Sequence, residues 1–145
     1  MSVAQAIALA RRRKIVATPV IPGRLFSLEI GVGAKLPKDY FHFLERVGYF
    51  RLPAGELYDP SLILWYGSCN FHLEGIPPRA WPVLPVGTFN AFGDGIGFRR
   101  ERDGFASEVL ILNHESRWDW PDGRNVLKVC ASLYEFLKEF LSKEG

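Results

Sequence analysis

The run Ala-Phe-Gly-Asp-Gly-Ile-Gly at residues 91–97 has the residue types of a phosphate-binding loop, because glycines alternate with other residues around one aspartate. A dinucleotide-binding loop needs a strand before its glycines and a helix after them, so that the helix N-terminus meets the pyrophosphate. A short strand-like segment follows here instead, and Phe98 stands where that motif requires a further glycine. The chain also lacks the Gly-Lys-Ser/Thr of a P-loop. The run therefore predicts a tight turn, in which glycine tolerates positive φ.

The histidines are the next residues that could carry chemistry, and they are His42, His72 and His114. His114-Glu115 begins like the zinc-binding motif HExxH, but Trp118 stands where the second histidine is required. We therefore predict a surface or boundary position for His42. We predict that His114 ends a strand and bonds the following turn. No metal site is predicted.

Cys69 could act as a nucleophile, with His72 three residues further along as its base. Residues this close in sequence make a catalytic pair only where the backbone orients them, and no third orienting group is evident. A free cysteine is commonly buried and inert. Asp94 and Glu115 could form a pair of carboxylates, as could many other acidic residues. The sequence thus predicts no catalytic residue and no cofactor, and a hydrolase that uses Cys69 is kept as an alternative.

An aromatic and charged segment near the C-terminus is typical of a protein interface. Trp and Arg are enriched among the residues that dominate binding energy. In a second interpretation, both Trp side chains fold back on the sheet edge as a satellite cluster. The sequence leaves both open, and the predicted partner-binding residues are Arg117, Trp118, Asp119, Trp120 and Arg124.

Composition restricts the class of protein. The 145 residues are 48% hydrophobic and 23% charged, which suits one folded domain. The formal net charge of +2 is too small to predict nucleic-acid binding. The one basic run, Arg11-Arg12-Arg13-Lys14, suits the solvated end of a helix. Its alternative role is a patch for phosphate or for an acidic partner.

The cysteine positions and the first residues of the chain indicate the cellular compartment in which the protein works. Cys69 and Cys130 form no disulfide framework, which favours a reducing compartment. In the first fourteen residues the charges follow the apolar stretch, whereas a secretory signal has them before it. That stretch is also too short to span a membrane. We therefore expect a cytoplasmic protein without a membrane segment.

Local patterns predict helices at both ends of the chain. Ser2 and Gln5 fit a capping box that opens a helix to about Lys14, and prolines and a glycine then break the chain. Residues 36–48 carry apolar side chains at helical spacing and end at Gly48. A second capping box at residues 132–135 opens an amphipathic C-terminal helix.

The middle of the chain predicts strands of an antiparallel meander, because short runs of branched and aromatic residues alternate with Pro and Gly. Asp103-Gly104 marks a hairpin. Trp65, Tyr66 and Trp81 are expected in the core or on an edge strand. The predicted strands cover residues 62–67, 81–89, 95–101 and 108–113.

The order of these features resembles the SUKH superfamily, also described as the Smi–Knr family. Its first helix has the form LP-x-D/E-Y-x-x-F/L-L, matched at Leu36, Pro37, Asp39, Tyr40, Phe43 and Leu44. Its Gly/Asp-rich turn into a strand is matched at Gly93, Asp94, Gly95, Ile96, Gly97 and Phe98, and its His-Glu step at His114 and Glu115. Its closing helix motif is matched at Ala131, Ser132, Leu133, Glu135, Phe136 and Leu137. The family often has Asn-Gly-Gly after the first helix, where this chain has Val47-Gly48-Tyr49.

The resemblance, strongest over residues 25–143, implies one SUKH-like domain over residues 1–145. It implies an α+β fold with a single mainly antiparallel sheet, flanked by N-terminal helices and a C-terminal amphipathic helix. It also implies a non-catalytic protein-binding role, because bacterial members neutralise toxins by binding them and fungal members regulate cell-wall synthesis. We expect an immunity protein that occludes a cognate toxin, or alternatively an intracellular adaptor. Immunity proteins against nucleases are often acidic, whereas this chain is slightly basic.

Overall fold

The computed structural model describes residues 2–70, 73, 75–115 and 125–142, and shows an α+β fold in them. The helices are α1 Ser2–Arg12, α2 Pro22–Val32, α3 Lys38–Arg46, α4 Ile63–Asn70 and α5 Leu133–Ser142, with 3₁₀ turns at Pro60–Leu62 and Pro78–Ala80. The strands are β1 Glu56–Leu57, β2 Val83–Thr88, β3 Gly95–Glu101, β4 Gly104–Phe105, β5 Val109–Leu112 and β6 Val126–Cys130.

The strands form one sheet in the order β1-β2-β3-β5-β6, with β4 paired to the end of β3. Each of these strand pairs is antiparallel. The predicted fold class and the predicted hairpin at Asp103-Gly104 are therefore confirmed. The register aligns one residue of each strand across the sheet, in the order Glu56, Thr88, Gly95, Leu112 and Val126.

Both faces of the sheet are covered. A side chain at Gly97 would meet Val83 and Leu112, which places these residues on one face, and both are fully buried. Phe98 points to the opposite face, because side chains alternate along a strand. Its ring contacts the ring of Tyr40 on α3 at 5.1 Å between centroids.

The C-terminal helix closes the core as its apolar spacing predicts. Phe136 and Phe140 of α5 stack on each other, and Phe89 packs against both. The hydroxyl of Ser132 accepts a hydrogen bond from the Glu135 amide at 3.2 Å, which is the cap that the sequence indicates. These contacts fix α5 against the end of the sheet.

The N-terminal helix packs against α3 and α5. The guanidinium of Arg13, just after α1, donates a hydrogen bond to the carbonyl of Leu141 in the last turn of α5. Arg11, Arg12 and Lys14 are exposed. One member of the basic run therefore holds the helix end, while the others face solvent.

The prediction of a strand at residues 62–67 is wrong, because these residues lie in α4 and the 3₁₀ turn before it. The Asp59 carboxylate accepts hydrogen bonds from the amide of Ser61 at 3.0 Å and from its hydroxyl at 2.9 Å, which starts the helical turn. Short apolar runs do not distinguish a buried helix from a strand. Trp81 is buried as expected, whereas Trp65 is 58% exposed, contrary to the expectation of a core or edge-strand residue.

Helix α2 was not predicted, because Pro22 and Gly23 were interpreted as the end of regular structure. Proline suits the first helical position, where its missing N–H has no intrahelical partner. The helix ends at Gly33, which adopts φ of 67° and donates its N–H to the carbonyls of the last turn. Strand β6 also has no counterpart among the predicted strands.

Candidate functional site: an aromatic cleft beside strand β1

The predicted partner-binding residues Arg117, Trp118, Asp119, Trp120 and Arg124 lie outside the described residues. Their role stays a prediction. The described residues that flank that segment are Glu115, after β5, and Asn125, before β6. The described residues at β1 provide a second candidate surface.

A cleft of about 440 Å³ opens beside β1, and we call it the aromatic cleft. Pockets of this size are common binding sites in proteins. Three tyrosines and several aliphatic side chains account for much of its lining. The lining residues are Val16, Thr18, Tyr49, Phe50, Arg51, Glu56, Leu57, Tyr58, Asp59, Leu62 and Tyr66.

Two short backbone pairings beyond β1 build one side of the cleft. Thr18 and Tyr49 exchange backbone hydrogen bonds of 2.9 and 3.1 Å. Arg51 pairs with Glu56 in an isolated antiparallel bridge. Gly48 permits this arrangement, because its φ is 117° and a side chain there would come within 2.0 Å of the Thr18 carbonyl oxygen. The glycine that the sequence marks as a helix stop thus also brings residue 18 against the sheet.

Stacked aromatic rings form another part of the lining. Tyr58 and Tyr66 stack at 4.3 Å between ring centroids, and Trp65 meets Tyr66 edge-on at 5.2 Å. The Tyr58 hydroxyl is hydrogen-bonded to the hydroxyl of Thr88. Burial raises the pKa of Tyr58 to about 12, although the bond to Thr88 acts in the opposite direction. The tyrosine is therefore neutral at physiological pH, and with 4% of its surface exposed it belongs to the buried wall of the cleft.

Asp59 is the most extensively bonded acidic group of the cleft. Its carboxylate pairs with the Arg24 guanidinium at 2.5 Å and also accepts hydrogen bonds from Ser61 and from the Tyr49 side chain. Burial acts to raise the pKa of Asp59, but these hydrogen bonds and the Arg24 charge outweigh it and hold the pKa below its ordinary value. Glu56 is paired in turn with Arg51 at 3.3 Å. The carboxylates of the cleft thus already have partners.

Apolar side chains surround the opening. Val16 is 91% exposed and Leu62 is 44% exposed, and Trp65 lies beside the cleft on α4. Exposed apolar side chains next to a concave cleft are typical of a protein-interaction site. The arrangement can bury an apolar group of a partner against aromatic rings, and the two carboxylates and the Tyr58 hydroxyl are engaged within the protein.

A second polar cluster joins two of the sequence motifs. The Asp94 carboxylate accepts hydrogen bonds from the backbone N–H of His114 at 3.0 Å and pairs with its Nδ1 at 2.7 Å. Asn90 donates to the same carboxylate at 2.9 Å, and Nε2 of His114 lies 3.6 Å from Glu115. Burial acts to raise the pKa of Asp94, but the bonds from Asn90 and His114 hold it below its ordinary value. The cluster fixes the turn between β2 and β3 to the end of β5.

The remaining residues of the family resemblance lie at helix starts and at this turn. Leu36, Pro37 and Tyr40 are buried around the start of α3, with Asp39 in its first turn. Gly93 has φ of 92°, and Gly95 begins β3. Ser132 caps α5, where Glu135 pairs with Lys138 at 3.0 Å and Phe136 is buried.

Cys69 is exposed near the end of α4, and its sequence neighbour His72 lies outside the described residues. The alternative of a hydrolase that uses Cys69 with His72 is therefore untested by the structure. Cys130 is buried, and that burial raises the pKa of its thiol. Among residues 2–70, 73, 75–115 and 125–142, no three His, Cys, Asp or Glu side chains are grouped so as to hold a metal ion.

No helix in the described part of the chain has both the length and the apolar character needed to cross a membrane. Comparison of the chain with protein-family models, with curated proteins and with solved structures found no match. The functional assignment therefore starts from the geometry of the aromatic cleft and from the resemblance of the sequence motifs.

Proposed function

We propose that the chain is a non-catalytic protein-binding domain of the SUKH type, a cytoplasmic immunity protein that binds and occludes a cognate toxin. We assign the aromatic cleft to the contact with that toxin. The observation that carries the assignment is the combination in one place of stacked Tyr58 and Tyr66, exposed Trp65 and exposed Val16.

The composition of the cleft supports protein binding. Tyrosine and tryptophan bury a large area on binding and lose little conformational entropy, so they are common among the residues that dominate binding energy. Trp65 is 58% exposed, and its ring meets the half-buried Tyr66 edge-on. A side chain of this type at the surface is favourable where a partner covers it.

Rigid support suits a mechanism of steric occlusion. The cleft is bordered by β1 of the sheet and by α4, and Gly67 of α4 packs directly on the Trp81 ring. An inhibitor whose binding surface is already ordered loses less entropy when it binds. The bound domain would cover the active site of the toxin, and the proposal gives it no chemical step.

The test is affinity capture from an extract of the source organism with the tagged chain, followed by quantitative mass spectrometry. The variant combines Val16→Ser and Trp65→Ala, which removes exposed apolar area from the cleft. The control is Leu127→Ala on β6, because Leu127 is 53% exposed and lies at the opposite edge of the sheet from β1. We expect the wild type and the control to capture the same protein and the variant to lose it.

A growth assay then separates the immunity role from that of an adaptor. The captured protein, or its C-terminal domain, is expressed in cells with and without the chain. The immunity role predicts arrest of growth without the chain and rescue with it. A captured protein that does not affect growth would favour the adaptor, and capture that is unchanged in the cleft variant would remove the cleft from the proposal.

A further inference from the structure

We infer that the partner segment entering the aromatic cleft is acidic and carries one large apolar side chain. This inference rests on the proposed function and names the chemistry of the partner. The carrying observation is an imbalance of charge at the cleft: its two carboxylates are each paired with an arginine, whereas Lys14 and Arg46, which are close to the lining in sequence, have no ion-pair partner among the described residues.

The acidic groups of the cleft are neutralised by basic residues. Asp59 is paired with Arg24 at 2.5 Å, and its side chain is 23% exposed. Glu56 is paired with Arg51 at 3.3 Å, and its side chain is 25% exposed. An incoming basic residue would have to displace one of these pairs. A basic partner segment is therefore disfavoured.

The basic groups around the opening protrude into solvent. The Arg51 side chain is 79% exposed even though it reaches Glu56. Lys14 precedes Val16 by two residues, and Arg46 precedes Tyr49 by three, so chain length keeps them within about 7 and 11 Å of the lining residues. Both are exposed, and neither forms an ion pair with another described residue. These cations complement carboxylates on a partner.

The interior of the cleft requires an apolar group. The Tyr58 hydroxyl is bonded to Thr88, and Tyr49 is bonded to Asp59. A polar side chain buried there would lose its hydration and gain few new partners. An aliphatic or aromatic side chain would instead bury its surface against the half-buried ring of Tyr66, which is stacked on Tyr58, and against the exposed side chains of Val16 and Leu62. The two requirements together define an acidic segment with a single apolar side chain at its centre.

Charge of this kind acts mainly on the rate of association. Exposed complementary charges accelerate encounter and are screened by salt, since the Debye length falls from about 10 Å at 0.1 M to about 3 Å at 1 M. Binding through the cleft should therefore weaken with ionic strength. The apolar contact should persist at high salt and set the slower dissociation.

The experiment selects binders to the full chain from a random twelve-residue peptide display library. Each binder is retested on the rim variant Lys14→Gln/Arg46→Gln, which removes the two unpaired cations, and on the cleft variant Val16→Ser/Trp65→Ala. The control variant is Lys35→Gln/Arg102→Gln, which removes the same charge. The Lys35 carbonyl accepts a hydrogen bond from the Phe105 amide of β4, which pairs with the far end of β3. That end lies about 20 Å along β3 from Gly95, the β3 residue that the register aligns with Glu56. A twenty-nucleotide single-stranded DNA serves as a competitor, because aromatic rings beside cations also suit nucleic acid.

The inference predicts that binders lost on the cleft variant are rich in Asp and Glu and contain one aromatic or aliphatic side chain. Their affinity should fall about tenfold on the rim variant and stay within about twofold on the control. Cleft-dependent binders that are neutral or basic would overturn the inference and leave the cleft as a binding surface. An absence of cleft-dependent binders would overturn both the inference of an acidic partner segment and the proposal that the cleft binds a partner. Displacement of the peptides by DNA at equal concentration would assign the cleft to nucleic acid instead.

Discussion

The carboxylate of Asp94 holds His114 by two contacts, one to its backbone N–H at 3.0 Å and one to its ring Nδ1 at 2.7 Å. Asp94 belongs to the glycine-rich run that begins β3, and His114 follows β5. The pair thus ties the ends of two neighbouring strands together. The glycine run shapes a turn. In this turn the side-chain oxygen of Asn90 accepts hydrogen bonds from the backbone N–H groups of Phe92 and Asp94.

Removal of this tie should destabilise the fold. In Asp94→Asn the charge is lost and one oxygen acceptor is replaced by a donor, so we expect the free energy of unfolding to fall by about 1–3 kcal/mol. Urea unfolding followed by tryptophan fluorescence measures it. Glu115→Gln is the control, because the Glu115 side chain is 78% exposed and should change stability by less than about 0.5 kcal/mol. Equal stability of Asp94→Asn and the wild type would show that the tie contributes nothing.

The same pair makes a prediction for pH. Bonds from Asn90 and His114 hold the pKa of Asp94 below its ordinary value of about 3.9, despite its burial. The ionised carboxylate therefore stabilises the fold above that value, and this contribution disappears as the pH falls through the lowered pKa. The difference in unfolding free energy between wild type and Asp94→Asn should be full near about pH 6 and shrink below about pH 4. A difference that stays constant across this range would contradict the assignment.

The corrected helix α4 can be tested at Gly67. A side chain there would come within 2.4 Å of the Trp81 ring, and that ring is held by a hydrogen bond from its Nε1 to the Ile76 carbonyl at 2.9 Å. Gly67→Ala should therefore lower the free energy of unfolding by about 1–3 kcal/mol. Gly23→Ala on α2 is the matched control, because nothing lies within 4 Å of its added carbon. A neutral Gly67→Ala variant would mean that α4 does not pack on Trp81 as described.

The two cysteines should differ in reactivity. Cys69 is exposed and Cys130 is buried, so a thiol reagent should label one cysteine per folded chain and both after unfolding. Burial also raises the pKa of Cys130, which lowers its thiolate fraction further. Cys69→Ser should react only after unfolding. Rapid labelling of two thiols in the folded wild type would contradict the buried position of Cys130.

The fold was predictable where local patterns are strong. Helix α5 has its capping serine and its apolar spacing, and the strand at residues 95–101 was predicted with its observed bounds. Helix α4 was not predictable, because its apolar run carries no 3.6-residue periodicity and its start depends on the Asp59 side chain. Helix α2 was missed because Pro22 is as compatible with a helix start as with a break.

The aromatic cleft could not be predicted, because its side chains come from distant parts of the sequence. Val16, Tyr49, Tyr58 and Tyr66 share no motif, and they meet only because residues 18 and 49 pair beyond β1. The contact between Asp94 and His114 was not predicted, because His114 was expected to end a strand and to bond the turn that follows it, whereas it bonds Asp94 in the turn before β3. Its partner Asp94 could not be named without the register of β3 and β5.

The central claim is that the aromatic cleft binds the partner, and calorimetric titration of the captured partner tests it most directly. The titration compares the wild type with Val16→Ser/Trp65→Ala, with Trp118→Ala/Trp120→Ala and with Leu127→Ala. The account predicts that the cleft variant loses at least about 2 kcal/mol of binding free energy, or about thirtyfold in affinity, while Leu127→Ala matches the wild type. Loss of affinity in the Trp118/Trp120 variant would add the predicted segment to the contact with the partner. A folded cleft variant that binds as tightly as the wild type would contradict the claim.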